Sequence, residues 1–334
     1  MIRTLAPFTA TLEDTAQLIG ASLHGDNVAF TGVTHVDSEV EAGDLFLAIP
    51  GARVHGATFV QAAIKRGAVA VLTDEAGLVH CAGIPALVVK DVRTAGALAA
   101  SSLYKYPTRD LVSIGITGTN GKTTVSTLIY QIFEATDREC GLIGTIETRI
   151  GKDAAESART TPEATDLQAI SAVMRERHMR HLVMEVSSHA MVLHRIQGAH
   201  FAFVGFTNLS QDHLDFHKTM ENYYQAKREL FKAEFADHAF INVDDAYGAR
   251  LNDEVSIPTS TLSRTSKRAH WHYESITPQS HGYAVNIRGE GGVLIEGATH
   301  LNGEHNLDNL LLAVAIANHS GVDPLVIGNG LSRL

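Results

Sequence analysis

Residues 115–124 read Gly-Ile-Thr-Gly-Thr-Asn-Gly-Lys-Thr-Thr. They supply the groups that a chain of anionic phosphates needs. Gly118 and Gly121 let the backbone turn tightly and bring its N–H groups onto phosphate oxygens. Lys122 is a cation of the length that reaches β- and γ-phosphates, and Thr123 offers a hydroxyl to Mg²⁺. The run follows an apolar stretch, Leu111 to Ile116, that reads as a strand. It precedes Val125 to Phe133, whose apolar spacing suits a helix. A helix start adds partial positive charge at the same place. The spacing from Gly115 to Lys122-Thr123 is one residue longer than in the usual phosphate loop, but Gly118-x-x-Gly121-Lys122-Thr123 keeps its essential end. The flanking strand and helix favour a phosphate loop over a ligand-free glycine turn. The chain is therefore read as binding a nucleoside triphosphate through Gly118, Thr119, Asn120, Gly121, Lys122, Thr123 and Thr124.

Further along, Glu185 closes the apolar run His181 to Glu185 and is followed by Val186-Ser187-Ser188-His189. An acidic residue at the carboxyl end of a strand beside the phosphate loop either holds Mg²⁺ or merely meets solvent. Asp212-His213-Leu214-Asp215-Phe216-His217 brings several metal-capable side chains into six residues after the next strand. Lys227 lies in a segment of helical character, Glu221 to Phe235, where a lysine is ordinarily a surface charge.

The elements that must position these groups are those of an α/β fold with a parallel sheet. Leu45 to Ile49, Ala68 to Leu72 and Ala86 to Val89 read as short buried strands, with helices over Thr58 to Arg66 and Thr94 to Tyr104. Pro107 marks a boundary. The organisation predicted is a small N-terminal α/β domain, residues 1–107, then a phosphate-loop domain with a mostly parallel sheet, residues 108–334. In the second domain, strands are expected at Phe201 to Phe206 and Ala239 to Val243. Val255 to Ala298 is expected to be an antiparallel extension, and Asn306 to Asn318 a final amphipathic helix.

Composition narrows the function classes. The 334 residues carry a formal net charge of −10, which argues against a nucleic-acid partner. Two cysteines, Cys81 and Cys140, make neither a metal motif nor a disulfide framework. No basic-then-apolar leader and no run of membrane-spanning length occur, so a soluble cytoplasmic protein is expected. With 18 histidines, a lone histidine is poor evidence for a ligand.

Taken together, the run at 115–124, Glu185-Val-Ser-Ser-His189, Asn208-Leu-Ser-x-Asp212-His213-Leu-Asp215-x-His217 and Ala226-Lys227 resemble the Mur ligases. These are ATP-dependent amide-forming enzymes of peptidoglycan synthesis. Asp37-Ser38, Gly43-Asp44-Leu45-Phe46, Gly51 and Gly56 resemble the family's uridine-binding domain. Gly144-Thr145 and Thr160-Thr161-Pro162-Glu163 resemble its substrate segments in the branch that makes the UDP-muramoyl tripeptide. The resemblance implies ATP on Lys122 and the 118–124 loop, with Asn306 and Asn309 beside the adenine. It implies Thr123, Glu185 and His213 around Mg²⁺. Lys227 would carry a CO₂-derived carbamate as ligand to a second Mg²⁺. Val36, Ser38, Ala52, Arg53, Val54, Thr160, Thr161, Ser187 and Arg195 would touch the UDP-muramoyl substrate, although Thr160-Thr161-Pro162 equally suits a helix cap. Departures from the family pattern are Glu39, Arg159 and Leu193.

The expected reaction is ATP-dependent addition of a diamino acid, meso-diaminopimelate or L-lysine, to UDP-N-acetylmuramoyl-L-alanyl-D-glutamate through an acyl phosphate. A monomer is expected. The resemblance also implies that the family's C-terminal, amino-acid-binding domain is absent from this chain, leaving it to bind substrates without efficient ligation. Competing readings are a sister ligase of the same pathway and a nucleotide- and UDP-sugar-binding module that does not ligate.

Overall fold

The computed structural model describes residues 3–51, 53–136 and 138–333. The chain forms two compact units. Unit 1 comprises Met1–Asp110, Pro162–Arg177 and Leu193–Ala199, and unit 2 comprises Leu111–Thr161, His178–Val192 and His200–Leu334.

Unit 1 opens with β1 (Ala10–Thr11), α1 (Leu12–Ile19), β2 (Ser22–His24), β3 (Ala29–Phe30) and β4 (Gly32–Thr34). Then come β5 (Asp44–Leu47), α2 (Val60–Arg66), β6 (Ala70–Thr73), β7 (Ala86–Val88), α3 (Val92–Leu103) and α4 (Pro107–Asp110). The main sheet among the described residues has the order β2-β7-β6-β5-β4, parallel except for the antiparallel pair β2–β7. Alternation along β5 sends Leu45 and Leu47 into one core cluster and Phe46, with the following Ala48, into another on the opposite face. The helices are closed by local chemistry. Thr11 caps α1 and Asp91 caps α3, while α1 and α2 end on left-handed Gly20 and Gly67.

Unit 2 begins with β8 (Val112–Thr117), α5 (Lys122–Glu134), β9 (Cys140–Ile143), β10 (Glu147–Ile150) and β11 (Asp153–Glu156). After α6 (Ala164–Glu176), which belongs to unit 1, it resumes with β12 (His181–Glu185), α7 (Ser188–Val192) and β13 (Phe201–Phe206). It continues through α8 (Leu214–His217), α9 (Met220–Arg228), β14 (Ala236–Asn242), α10 (Ala246–Glu254), β15 (Thr259–Ser263) and β16 (Trp271–Pro278). It ends with β17 (Tyr283–Arg288), β18 (Leu294–Thr299), α11 (Glu304–His319) and α12 (Pro324–Gly330). The strand order among the described residues is β11-β10-β9-β12-β8-β13-β14-β15-β16-β17-β18. The run from β9 to β16 is parallel, and the hairpins at both margins are antiparallel. Helices α5 and α11 pack on this sheet, and Leu310 to Ala317 of α11 are all buried. That burial explains why α11 is apolar almost all round.

Four expectations change. The helix expected over Asn306 to Asn318 as final and amphipathic is α11, which is buried on every side from Leu310 to Ala317 and is followed by α12. The segment from Val255 to Ala298 is not wholly an antiparallel extension, because β15 pairs parallel with β14 and antiparallel pairing begins only at β16–β17. The helix expected over Thr58 to Arg66 is a 3-10 turn, Gly56–Phe59, followed by α2. A single division at residue 107 also differs from the observed one. Ala169 and Ala172 of α6 share a buried cluster with Ala95, Ala99 and Leu103 of α3, which carries Pro162–Arg177 into unit 1.

Candidate functional site

The centre of unit 2 is the turn between β8 and α5. Gly118 has φ 148° and Gly121 φ 88°, both favouring glycine. A Cβ on Gly118 would lie 1.8 Å from Thr207 Oγ1, and one on Gly121 would lie 2.3 Å from Asn309 Oδ1. No side chain caps α5, so its first N–H groups face the site. The loop is buttressed from the end of β13. The Asn120 N–H donates to Asn208 Oδ1 at 3.1 Å, and the Thr207 hydroxyl donates to the Asn120 carbonyl at 2.7 Å. Ser210 N–H donates to Thr119 Oγ1 at 3.0 Å.

Two lysines converge on one carbonyl. Lys122 Nζ donates to the oxygens of Gly118 and Thr119, both at 2.9 Å, and Lys227 Nζ donates to the same Gly118 oxygen at 2.7 Å. Lys227 is 1% exposed, and its Nζ lies 4.6 Å from the centre of the Tyr223 ring. Burial, then the Lys122 charge, hold the Lys227 amine well below the ordinary lysine range, against the pull of Asp212. Burial also lowers Lys122, partly offset by Glu185 and Asp212. Tyr223 ties this pair to the loop through a 3.2 Å hydroxyl contact with Thr119.

Glu185, 1% exposed at the end of β12, accepts from Thr123 Oγ1 at 3.0 Å on both carboxylate oxygens. Thr145 N–H donates to Glu185 Oε1 at 2.7 Å. Thr161 Oγ1 donates to the Glu185 carbonyl at 2.9 Å and accepts from Ser187 N–H at 3.0 Å. The hydroxyl of Thr123 and the carboxylate of Glu185 form a hard-oxygen pair of the kind Mg²⁺ takes together with phosphates and water. Among the described residues, no group of three or more His, Cys, Asp or Glu side chains is arranged to hold a metal. The fit therefore rests on this pair and on oxygens that a nucleotide would bring.

His213 sits apart from that pair. Its backbone is left-handed, with φ 52°, and its ring meets His189 edge-on at 4.8 Å and Tyr223 at 6.1 Å. His217, behind it, shares a 2.9 Å hydrogen bond with Ser188 Oγ, and burial with the neighbouring His189, Lys227 and His213 charges lowers its pKa to about 4.

Asn309 Nδ2 lies 3.4 Å from Asn306 Oδ1 at the start of α11, so both amides reach the phosphate-loop side of the unit. Asn309 borders a cavity of about 260 Å³ lined also by Asn208, Asp244, Arg264, His305 and Asp308. Sequence reasoning missed the polar wall of this cavity. Asp244 accepts from Ser263 Oγ, Thr265 Oγ1 and Arg264 N–H, each at 2.6 Å, while Arg264 pairs with Asp308 at 2.9 Å and Glu304 at 2.9 Å. No spacing signal joins residues 244, 264 and 308. Only the succession of β14, β15 and α11 does.

In unit 1, Arg195 pairs with Glu163 at 3.0 Å, and Arg93 reaches the other oxygen of that carboxylate at 3.3 Å. Val36 precedes a 3-10 turn, Asp37–Glu39, that carries exposed Ser38; Arg53 and Val54 are exposed in the following loop. Ala52 lies outside the described residues. Thus Thr161 joins Glu185 to Ser187, and Thr160 lies 3.1 Å from Thr145 Oγ1, all in unit 2, whereas Val36, Ser38, Arg53, Val54 and Arg195 belong to unit 1.

The family model of the Mur ligase middle domain matches residues 116–317, and that of the Mur ligase family catalytic domain matches residues 30–106. The chain belongs to the Mur ligase family. It is 43% identical over 326 residues to the UDP-N-acetylmuramoyl-L-alanyl-D-glutamate–2,6-diaminopimelate ligase of Streptomyces coelicolor, covering 97% of this chain and 64% of that protein. It is 39% identical to the UDP-N-acetylmuramyl-tripeptide synthetase of Leifsonia xyli, covering 99% of this chain and 66% of that one. A solved UDP-N-acetylmuramoyl-L-alanyl-D-glutamate–2,6-diaminopimelate ligase superposes with a TM-score of 0.83 at 26% identity, over 98% of this chain and 67% of its own. MurF of Thermotoga maritima, solved with ADP, shares the fold at 18% identity and a TM-score of 0.61, over 91% of this chain and 66% of its own. The chain thus spans about two thirds of the length of these Mur ligases. No described helix is long and apolar enough to cross a membrane.

Proposed function

We propose that this chain carries the nucleotide- and acceptor-binding parts of an ATP-dependent ligase that joins a diamino acid to UDP-N-acetylmuramoyl-L-alanyl-D-glutamate. The observation that carries the reading is the meeting of Lys122, Lys227, Thr123 and Glu185 around the Gly118–Lys122 turn. The α5 N-terminus and Lys122 would bind the ATP phosphates and neutralise charge as the γ-phosphoryl passes to the acceptor carboxylate. The acyl phosphate so formed loses phosphate when the incoming amine attacks its carbonyl carbon. Thr123 and Glu185 would hold Mg²⁺, which when bound supplies Lewis-acid polarisation of the phosphates, and the family resemblance adds His213 to the set.

The donor chemistry also fits a carbamate on Lys227. A neutral, buried amine is the nucleophile that CO₂ requires, and the product gives up a proton and becomes an anionic oxygen ligand for a second Mg²⁺. Asn306 and Asn309 would border the adenine. Val36, Ser38, Ala52, Arg53, Val54, Arg195, Thr160, Thr161 and Ser187 are assigned to the UDP-muramoyl substrate. The amine proposed first is 2,6-diaminopimelate, after the names of the Streptomyces coelicolor and solved relatives. A cytoplasmic monomer is the proposed setting.

The test is calorimetric binding of UDP-N-acetylmuramoyl-L-alanyl-D-glutamate, with UDP as reference. Binding at least tenfold tighter than UDP, a difference of about 1.4 kcal/mol, supports the acceptor assignment. Equal affinities would send the assignment to a sister ligase with another acceptor.

A further inference from the structure

Glu185 is held by more than the phosphate loop. Thr145, in the turn after β9, approaches the carboxylate with two donors: its N–H lies 2.7 Å from Oε1 and its hydroxyl 3.0 Å from Oε2. Its neighbour Gly144 makes room for this approach, since a Cβ there would lie 2.7 Å from Glu185 Oε1. The hydroxyl also lies 3.1 Å from Thr160 Oγ1. A hydroxyl has one proton, and a carboxylate is a stronger acceptor than another hydroxyl. The Thr145 proton therefore goes to Glu185, the stronger of the two acceptors within its reach. On the other side, Thr123 Oγ1 stands 3.0 Å from both carboxylate oxygens. A threonine oxygen that gives a lone pair to a cation still has its O–H to donate, so the Thr123–Glu185 bond survives metal binding and the carboxylate must be oriented for both.

From this geometry we infer that Thr145 is the positioning residue of the Glu185 carboxylate: its N–H and O–H fix the plane of the carboxylate so that it and the Thr123 hydroxyl face one cation. The inference rests on the proposed role of Glu185 and Thr123 as Mg²⁺ ligands and adds the group that aims them. Thr145 acts through Glu185, to which its N–H and hydroxyl both donate. Its effect lies in how strongly Mg²⁺ strengthens nucleotide binding, and not in nucleotide binding as such.

The test is the affinity of the full chain for ADP, by calorimetry, with Mg²⁺ and again in EDTA, for wild type, Thr145→Val and Thr145→Ser. Valine keeps the shape and the backbone N–H and removes the hydroxyl. Thr145→Val is expected to cut the Mg²⁺-dependent gain in ADP affinity about tenfold, the low end for groups that orient metal ligands, with affinity in EDTA unchanged. Thr145→Ser, which restores the hydroxyl, is expected to restore the gain. Equal weakening with and without Mg²⁺ would mean that Thr145 only supports the loop, and an unchanged gain would mean that Glu185 needs no such aim; either overturns the inference alone. Absence of any Mg²⁺-dependent gain in the wild type would instead remove the metal assignment of Glu185 and Thr123, and this inference with it.

Discussion

At the scale of single residues, Lys227 is the side chain whose environment says most and whose sequence context says least. A lysine in an amphipathic helix reads as a surface charge. The structure buries it, points its Nζ at the Gly118 carbonyl and places Lys122 on the same oxygen. In the unfolded chain its amine titrates near about 10.4, and in the folded chain well below that. Between the two values the unfolded chain binds the extra proton, so this group's contribution to stability rises with pH. Below the folded value both forms are protonated and the full cost of burying an ammonium applies. Lys227→Met is therefore expected to stabilise the chain most on the acid side, in CO₂-depleted buffer, with the advantage shrinking as pH rises toward 10. The Gly118 carbonyl keeps Lys122 as a donor in the variant. Thermal melts from pH 6 to 9 check this, at about 2–4 °C for each kcal/mol relieved. A Tm difference that grows with pH would mean that the native site favours the ammonium. Glu185 and Thr123 were more legible, because a strand end and a phosphate loop fix where they must stand, whereas Gly144-Thr145 reads from the sequence as a substrate segment and its clamp on Glu185 shows only in the folded turn.

At the scale of elements, the phosphate loop was readable because its glycines, strand and helix each demand the others. The structure adds why neither glycine is replaceable. Gly118 combines φ 148° with a Thr207 hydroxyl where a Cβ would stand, and the Asn208 backbone lies about 3 Å from the same point. Gly118→Ala is expected to cost about 1–3 kcal/mol of stability from backbone strain. It should weaken nucleotide binding by roughly tenfold or more, because the loop must shift off Thr207. Urea melts and ADP calorimetry read the two effects, and an alanine variant that melts and binds like wild type would show that the loop yields freely. The elements that the sequence left unassigned have physical reasons too. Strand β11, Asp-Ala-Ala-Glu, is exposed along its whole length, so it carries no apolar alternation. Strand β15, Thr-Ser-Thr-Leu-Ser, is buried through small hydroxyl residues that local pattern does not distinguish from a loop.

At the scale of the whole molecule, the sequence pattern suggested one cut and the fold makes several. An amphipathic helix announces that it has an apolar face, but not which sheet will cover it. Helix α6 follows the 144–161 segment of unit 2 in the chain, yet Ala169 and Ala172 are buried in the core of unit 1 with Leu12, Leu45, Ala95 and Leu103. Glu176 accepts from the N–H groups of Leu5 at 3.0 Å and Ala6 at 2.9 Å, and Arg175 donates to the carbonyl oxygens of Tyr104 at 2.7 Å and Lys105 at 3.1 Å. A fragment ending at residue 107 would lose all of these and leave the α6-facing side of α3, which is built of alanines, open to water. Stability is a small difference between large opposing terms, so losing one buried face of the core is enough to remove it. We expect residues 1–107 alone to melt without a cooperative transition and to bind a hydrophobic dye, whereas the full chain melts cooperatively. A sharp transition with well-dispersed amide resonances from the fragment would show that α6 is an ornament of unit 1 and that residue 107 is a true domain limit.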